Sequence, residues 1–300
     1  MKQLLIIYFV IFVKLNLFAQ NKNLTIIPFT TENNGIHFYA KVNENDSIKF
    51  LFDTGADGSV INKQSLNKLT LSINGKSLNR GANGTNEVDL SKDNKLTFGQ
   101  IEKQNVSFTI IPYDITSFDG VFGADLMKGH IIEIDYDKQQ LKFHDEDKND
   151  LDYKNYTKIK LHLIDNYPTI KTSMQINGKR YSGFFGLDSG ADDALTILSP
   201  YVIKNNLENK MTKIGSTSAQ GSDGKILESP VVLCPELIFA NKILYNVPMI
   251  LSTAKEGIDA TDKMVGIFGN AFLKKFNTII DFKNGYIYYK LNKNLYTKFY

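Results

Sequence analysis

The chain has 300 residues, 42% of them hydrophobic, which is enough to bury two cores of ordinary domain size. The formal net charge is only +3 and the basic residues are scattered, so a nucleic-acid-binding protein is not expected. The one cysteine, Cys234, excludes an intrachain disulfide, and the apolar residues before it predict a buried side chain. No cofactor or metal site is predicted, because metal-ligand spacing does not occur among the histidines His37, His130, His144 and His162.

A secretory signal is predicted over residues 1–19. Lys2 supplies a positive start, an apolar run extends from Leu4 to Val13, and Ala19 precedes a plausible cleavage point. The apolar run is too short to span a bilayer, so no stable membrane insertion is expected after cleavage. The mature protein is therefore expected to be exported, either to a periplasm or to the medium.

From Leu24 onward, short runs of β-forming residues separated by turn residues predict an all-β fold. The predicted strand Ile48 to Phe52 ends in an apolar run, Phe50 to Phe52, that leads directly into Asp53-Thr54-Gly55. Residues 59–69 fit either a short helix or an irregular segment. Three further features follow in order: a polar hairpin at residues 81–86, the apolar-Gly segment Val121-Phe122-Gly123, and a closing hairpin over residues 131–143.

A charged segment without apolar periodicity, residues 147–156, is predicted to be a linker. After it the same order returns, because the apolar run Tyr181 to Leu187 leads into Asp188-Ser189-Gly190 and Leu195 to Leu207 is a predicted helix. The remaining features match those of the first half: a polar hairpin at residues 221–224, Ile267-Phe268-Gly269, and a closing hairpin over residues 279–288. The repeat predicts two similar β domains that meet along a pseudo-twofold axis, residues 20–146 and 157–300.

The repeated turns carry the predicted chemistry, since a twofold axis between the domains would bring Asp53 and Asp188 side by side. Two carboxylates roughly 3 Å apart cannot both ionise, so they would share one proton. The ionised group could then take a proton from water while the protonated group polarises a peptide carbonyl. Neighbouring hydroxyls would brace the turns and glycines would leave room beside the carboxylates, which gives supporting roles to Thr54, Gly55, Ser189 and Gly190.

These motifs resemble those of aspartic peptidases of the retropepsin and pepsin superfamily. The retropepsin form of the active-site motif is matched by Asp53-Thr54-Gly55-Ala56-Asp57 and by Asp188-Ser189-Gly190-Ala191-Asp192. The two apolar-Gly segments match the family signature that packs behind the catalytic loop. The resemblance covers nearly all of the mature chain and implies two pseudo-twofold-related, closed retropepsin-like β domains, fused in one chain in a pepsin-like bilobal arrangement.

The resemblance also implies roles for individual residues. Asp53 and Asp188 would be the catalytic dyad, and Asp57 and Asp192 would accept hydrogen bonds from the substrate backbone. The two polar hairpins would be flaps that close over an extended peptide. The residues implied in substrate binding, on the turns and on the flaps, are Ala56, Asp57, Ala191, Asp192, Gly84 and Gly224.

The sequence departs from the family pattern beside both turns. Ala124 and Asn270 replace the Arg that retropepsins place after the apolar-Gly signature, so the acid after each alanine lacks that partner. Neither predicted flap contains the tyrosine typical of pepsin-like members. Because Ala56 and Ala191 lack the hydroxyl that such members place beside the dyad, we expect fewer donors to the carboxylates and a cleavage optimum about pH 5–6.

Two functions from different classes stay open. The first is an aspartic endopeptidase that acts as a monomer on extended peptides, and the alternative is a non-catalytic protein of the same fold that binds peptides or partner proteins. The pair Asp53 and Asp188 favours the enzyme, because a non-catalytic descendant has no reason to keep both carboxylates with both hydroxyls and both glycines. A glycosidase with two carboxylates is a third interpretation, which the twin turns do not suggest.

Overall fold

A computed structural model describes residues 24–299, apart from residue 46 and residues 115–116 and 148–150. Strands account for 56% and helices for 9% of the structure, which confirms the predicted all-β fold. Within the described ranges, no helix is long and apolar enough to cross a membrane. The predicted signal segment, residues 1–19, lies outside the described residues.

The first half of the chain consists of short strands with two short helical segments. The strands are β1 (Leu24–Pro28), β2 (Thr30–Glu32), β3 (Gly35–Val42), β4 (Ser47–Phe52), β5 (Ser59–Asn62), β6 (Gly75–Arg80), β7 (Thr85–Phe98), β8 (Ile101–Ile111), β9 (Gly120–Phe122), β10 (His130–Asp135) and β11 (Gln140–Asp145). A 3₁₀ helix spans Lys63–Lys68, and helix α1 spans Ala124–Met127.

The second half repeats this order of elements. Its strands are β12 (Thr157–Ile164), β13 (Tyr167–Ile176), β14 (Lys179–Asp188), β15 (Leu195–Ile197), β16 (Lys213–Gln220), β17 (Ile226–Phe239), β18 (Lys242–Leu251), β19 (Gly266–Gly269), β20 (Phe276–Asp281) and β21 (Tyr286–Leu291). Helix α2 spans Ser199–Asn205, a 3₁₀ helix spans Leu207–Lys210, and helix α3 spans Asn270–Leu273.

Six strands in each half close into a ring. The hydrogen-bonded order is β3-β4-β9-β5-β8-β7 in the first half, and β3 also pairs with β7. The order in the second half is β13-β14-β19-β15-β18-β17, and β13 also pairs with β17. Buried phenylalanines fill both rings, with Phe50, Phe108 and Phe122 in the first and Phe185 and Phe268 in the second. The two halves therefore share one closed architecture.

A central sheet joins the two rings. Its strand order is β1-β11-β10-β20-β21-β12, with β10 and β20 antiparallel at the centre, where Ile132 pairs with Ile280 and Ile134 with Thr278. Three strands come from each half, so the sheet has the symmetry expected of a pseudo-twofold axis. Because the outer strands of both halves share this sheet, the predicted domain boundaries stay a prediction.

Two of the predicted elements differ from the structure. The predicted helix Leu195 to Leu207 is wrong at its start, because residues 195–197 form the buried strand β15, which pairs with β18 and β19. The helix begins only at Ser199, where Pro200 suits the first turn. The ambiguous segment 59–69 is a strand followed by a 3₁₀ helix. Cys234 is fully buried, as predicted.

Candidate active site

Each of the two repeated turns holds its carboxyl group with backbone amides. Strand β4 ends in three buried apolar residues, Phe50 to Phe52, and Asp53 follows in the turn. Asp53 Oδ1 accepts hydrogen bonds from the N–H groups of Gly55 at 2.7 Å and Ala56 at 3.0 Å. Strand β14 places its own turn in the same way, with matching bonds of 2.8 and 3.0 Å to Asp188 Oδ1 from Gly190 and Ala191.

The hydroxyls of Thr54 and Ser189 cross between the halves. Thr54 Oγ1 donates to the carbonyl of Leu187 at 2.8 Å and accepts from the N–H of Ser189 at 3.0 Å. In the reverse direction, Ser189 Oγ donates to the carbonyl of Phe52 at 2.8 Å and accepts from the N–H of Thr54 at 3.1 Å. Both side chains are buried, at 3% and 1% exposure, so these bonds fix the two turns against each other.

The glycine in each turn lies against the carboxyl group of the opposite turn. A Cβ atom added to Gly190 would lie 2.4 Å from Asp53 Cγ, and one added to Gly55 would lie 2.5 Å from Asp188 Cγ. Any side chain at either position would therefore collide with a carboxyl group. The structure thus brings together all six turn residues predicted from the sequence to form or support the pair.

The electrostatics of the pair are strongly coupled. Burial, together with the nearby charge of Asp188 and a hydrogen bond to it, raises the pKa of Asp53 well above its ordinary value. The backbone N–H groups of Gly55 and Ala56 oppose this rise only in part. Burial and the neighbouring carboxylate therefore favour the protonated form of Asp53.

A tyrosine that no sequence motif marks also reaches the pair. Tyr167, the first residue of β13, donates its hydroxyl to Asp188 Oδ2 at 2.7 Å. Burial and the adjacent carboxylate raise the pKa of this phenol well above its ordinary value, so it stays a donor. Only the register between β13 and β14 could have placed Tyr167 beside the carboxyls.

The pair lies on the floor of a large cleft. The cleft has a volume of about 1510 Å³ and runs between the two rings. The four turn residues predicted to bind substrate all line it, and the side chains of Asp57 and Asp192 are exposed. Within the described ranges, no group of three or more His, Cys, Asp or Glu side chains is arranged to hold a metal ion.

The two polar hairpins lie over this cleft and contact each other. The N–H of Asn83, at the tip between β6 and β7, donates to Asp223 Oδ2 at 2.9 Å in the tip between β16 and β17. The side-chain amide of Asn83 also donates a hydrogen bond to the Lys225 carbonyl, at 3.2 Å. Gly84 and Gly224 lie in these tips but do not line the cleft, whose hairpin residues include Gly81, Ala82, Asn83, Gln220, Gly221 and Ser222.

A loop of the second half, residues 252–265 between β18 and β19, also holds the first hairpin. The N–H groups of Ile258 and Asp259 donate to the carbonyls of Gly81 and Ala82, both at 3.0 Å. The Arg80 side chain donates to the Gly257 carbonyl at 3.1 Å. This contact could not be predicted from the sequence, because the polar residues of the loop follow no regular spacing that would indicate a partner.

The two positions that lack the family arginine still contact the turns through their backbone. The N–H of Ala124 donates to the carbonyl of Ala56 at 2.8 Å, and the N–H of Asn270 donates to that of Ala191 at 2.7 Å. The Asn270 side chain instead accepts a 2.6 Å hydrogen bond from the buried Tyr136 hydroxyl. The backbone connection is therefore symmetric although the side chains are not.

Comparison with known proteins agrees with this geometry. Residues 38–126 match the family model for aspartyl protease. The matched range contains the first turn with Asp53 and ends in helix α1, so the match supports an aspartic peptidase family and a protease function in general. A search of characterised proteins found no match.

Proposed function

We propose that the protein is an aspartic endopeptidase, in which Asp53 and Asp188 together activate water against a peptide bond. The observation that carries the proposal is the geometry of the two turns. Two carboxyl groups from different halves face each other, each held by two backbone amides and each turn braced by the hydroxyl of the other. The aspartyl protease match over residues 38–126 supports the same reaction class.

The proposed reaction is a direct attack by water. The ionised carboxyl takes a proton from a water molecule, and the protonated carboxyl gives its proton to the oxygen of the peptide carbonyl. A tetrahedral gem-diol forms without a covalent bond to the protein. As it collapses, a proton passes to the amide nitrogen and the C–N bond breaks, which leaves a carboxylic acid and an amine.

The substrate that fits this site is a peptide in an extended conformation. The cleft passes under both hairpins, and its floor on either side of the carboxyl pair carries Asp57 and Asp192 as exposed acceptors for peptide N–H groups. Entry requires the Asn83–Asp223 contact between the hairpins to open, and re-closure would exclude water. We further propose that the two halves are fused copies, that the chain acts as a monomer, and that it is exported.

The test is digestion of an unbiased peptide mixture by residues 20–300, scanned from acid to neutral pH and read by mass spectrometry. We expect internal cleavages with a maximum about pH 5–6, lost on Asp53→Asn substitution. A folded wild-type protein that cuts nothing at any pH would contradict the proposal and favour a peptide-binding protein of the same fold. Binding of the same peptides, measured by retention on immobilised protein, would then identify its ligands.

A further inference from the structure

The two carboxyl groups of the pair have different neighbours, although their turns match. In the second half, Thr169 of β13 pairs with Gly186 of β14. Two residues further along this antiparallel ladder, Tyr167 lies opposite Asp188 and donates its hydroxyl to Oδ2. The equivalent position of the first half has no hydroxyl. There, His37 pairs with Leu51, so the residue opposite Asp53 is a glycine, Gly35.

The difference is built into the packing of both halves. A Cβ atom on Gly35 would lie 2.8 Å from Leu51 Cδ1, so the leucine occupies the space beside the first carboxyl. In the second half the sizes are exchanged, since a Cβ atom on Gly186 would lie 2.6 Å from Cε1 of the Tyr167 ring. Each half therefore fills the same volume, once with Leu51 and once with a tyrosine that carries a donor.

The exchange gives the carboxyls unequal numbers of donors. Asp188 accepts three hydrogen bonds from neutral donors, two from the backbone of its turn and one from Tyr167. Among the residues that the structure describes, Asp53 accepts two, both from the backbone of its own turn. Hydrogen bonds to a carboxylate stabilise its charged form, so the donors favour the negative charge of the pair on Asp188. The carboxyls of Asp193 and Asp259 also face Asp188, but burial raises their pKa values to about 7 and about 6, so both stay protonated in acid solution.

We propose that Tyr167 is a positioning residue that assigns the two carboxyls their roles, with Asp188 as the ionised base and Asp53 as the proton-carrying acid. This inference rests on the proposed function for its catalytic meaning. In the reaction, Asp188 takes the proton from water and Asp53 gives its proton to the carbonyl oxygen. After the C–N bond breaks, the proton on Asp188 has passed to the leaving nitrogen, and the proton on Asp53 is recovered from the gem-diol.

The test is the Tyr167→Phe variant, which removes the hydroxyl and keeps the ring that fills the space beside Gly186. Its first readout needs no substrate. The carboxyl carbons of Asp53 and Asp188 are followed by ¹³C NMR against pH, with each resonance assigned from its Asn variant. In the wild type, Asp188 should show the carboxylate shift and Asp53 the acid shift at intermediate pH. In Tyr167→Phe the two resonances should become similar.

The second readout is the pH profile of kcat/KM. We expect the acid limb of Tyr167→Phe to move upward by on the order of one pH unit, while the alkaline limb and KM change less. Tyr181→Phe is the matched control, because it also removes a buried tyrosine hydroxyl, one that accepts from Lys210 Nζ at 3.0 Å near the start of β14 and does not line the cleft. That variant should keep both the acid limb and the NMR titration of the wild type.

Outcomes distinguish this inference from the proposed function. Unchanged titration curves and an unchanged acid limb in Tyr167→Phe, with cleavage intact, would overturn the role of Tyr167 and leave the peptidase standing. A shifted carboxyl titration in a protein that cuts no peptide would support the charge assignment and contradict the peptidase. Equal shifts in Tyr181→Phe would show a general effect of lost stability and would also overturn the inference.

Discussion

At the scale of single residues, the site depends on groups that reach across from one half to the other. The hydroxyl of Thr54 has both its donor and its acceptor partner in the second half, and that of Ser189 has both in the first. A buried N–H or carbonyl that loses such a partner keeps its full desolvation cost. The two small hydroxyl residues are therefore expected to stabilise the fold as well as to hold the site.

Two substitutions of Thr54 test whether its hydroxyl group stabilises the fold. Thr54→Val keeps the shape and removes the hydroxyl, so it should lower the free energy of unfolding by about 1–3 kcal/mol. Thr54→Ser keeps the hydroxyl, as the chain itself does at Ser189, and should lose clearly less. Denaturant unfolding of both variants checks this. Equal losses in the two variants would contradict a role for the crossing hydrogen bonds.

The glycine of the second turn gives a sharper test of geometry. In Gly190→Ala the new methyl group would lie 2.4 Å from Asp53 Cγ, so the turn must shift and peptide cleavage should fall by at least about 10²-fold. Gly215→Ala is the matched control, because nothing lies within 4 Å of a Cβ atom there. It should keep wild-type cleavage. Full activity in Gly190→Ala would contradict the close approach of the two turns.

Residue chemistry was predictable where a short motif carries it and not where packing carries it. The repeated turns, each an Asp followed by Thr or Ser and a Gly, predict both carboxyls and their supporting residues from the sequence alone. Tyr167 lies 21 positions before Asp188 in the chain and reaches it only through the β13–β14 register. Leu51 fills the space beside Gly35 in the first half, and Tyr167 fills the corresponding space beside Gly186 in the second. This difference arises from packing inside the rings, so no local sequence pattern predicts it.

At the scale of elements, the hairpins and the loop 252–265 form one connected cover over the cleft. Asp223 links the hairpin tips, since its carboxylate accepts from Asn83 N–H at 2.9 Å and from Lys225 N–H at 2.9 Å. The loop adds backbone hydrogen bonds from Ile258 and Asp259 to the first hairpin only. The second hairpin is held to the loop by the ion pair between Lys225 and Glu256, and Asp223 is one of several links between the hairpins, beside the bond from Ser222 to Asn79.

Loss of the Asp223 carboxylate should loosen both tips. In Asp223→Ala the amides of Asn83 and Lys225 lose their acceptor, and we expect hydrogen exchange at both to become at least about tenfold faster. Asp262→Ala removes an exposed carboxylate from the neighbouring loop and is the control. Protection at Asn83 that survives in Asp223→Ala would contradict the hydrogen bond from the Asn83 N–H to Asp223.

Among the elements, those with a strong local signal were predictable. The hairpins follow from their glycine-rich turns and the flanking β-forming runs. Their mutual contact was not predictable, because it depends on how the central sheet orients the two rings. The predicted helix from Leu195 began too early because Leu195 and Ile197 suit a buried strand as well as a helix, and pairing with β18 and β19 decides between them.

At the scale of the whole molecule, several carboxyl groups in and around the cleft are destabilising when charged. Burial is the largest cause for each of them. It raises the pKa of Asp193 to about 7 and that of Asp259 to about 6, and it also raises the pKa of Asp53. The native protein thus keeps protons that the unfolded chain has already lost. Their stabilising effect is complete below about pH 4 and is lost as the pH rises toward 7.

Asp259→Asn tests this sign. The amide cannot ionise, so at pH 8 the melting temperature of the variant should be roughly 2–4 °C higher than that of the wild type. At pH 4 the two proteins should have the same melting temperature. The backbone N–H of residue 259 that holds the first hairpin is unaffected by the change. Asp262→Asn, at an exposed carboxyl, should leave the melting temperature unchanged at both pH values. A lower melting temperature of Asp259→Asn at pH 8 would contradict a destabilising charge at this position.

The all-β, two-ring architecture was predictable because the same order of elements occurs twice in the sequence. The central sheet was not, since the pairing of β10 with β20 joins residues that lie far apart in the chain. That sheet packs the two halves together, and it places Asp53 and Asp188 in one site. The proposed function requires two carboxyls from a single chain to act as one pair.

The most direct measurement compares peptide cleavage by Asp53→Asn, by Asp188→Asn and by an equimolar mixture of the two variants, over the pH range of the wild type. We predict a loss of about 10²–10⁴-fold in each variant and no recovery in the mixture, because each chain would carry one defective pair. Activity retained by either variant would contradict the shared pair. Recovery in the mixture would show that the pair forms between two chains and would contradict a site built within one.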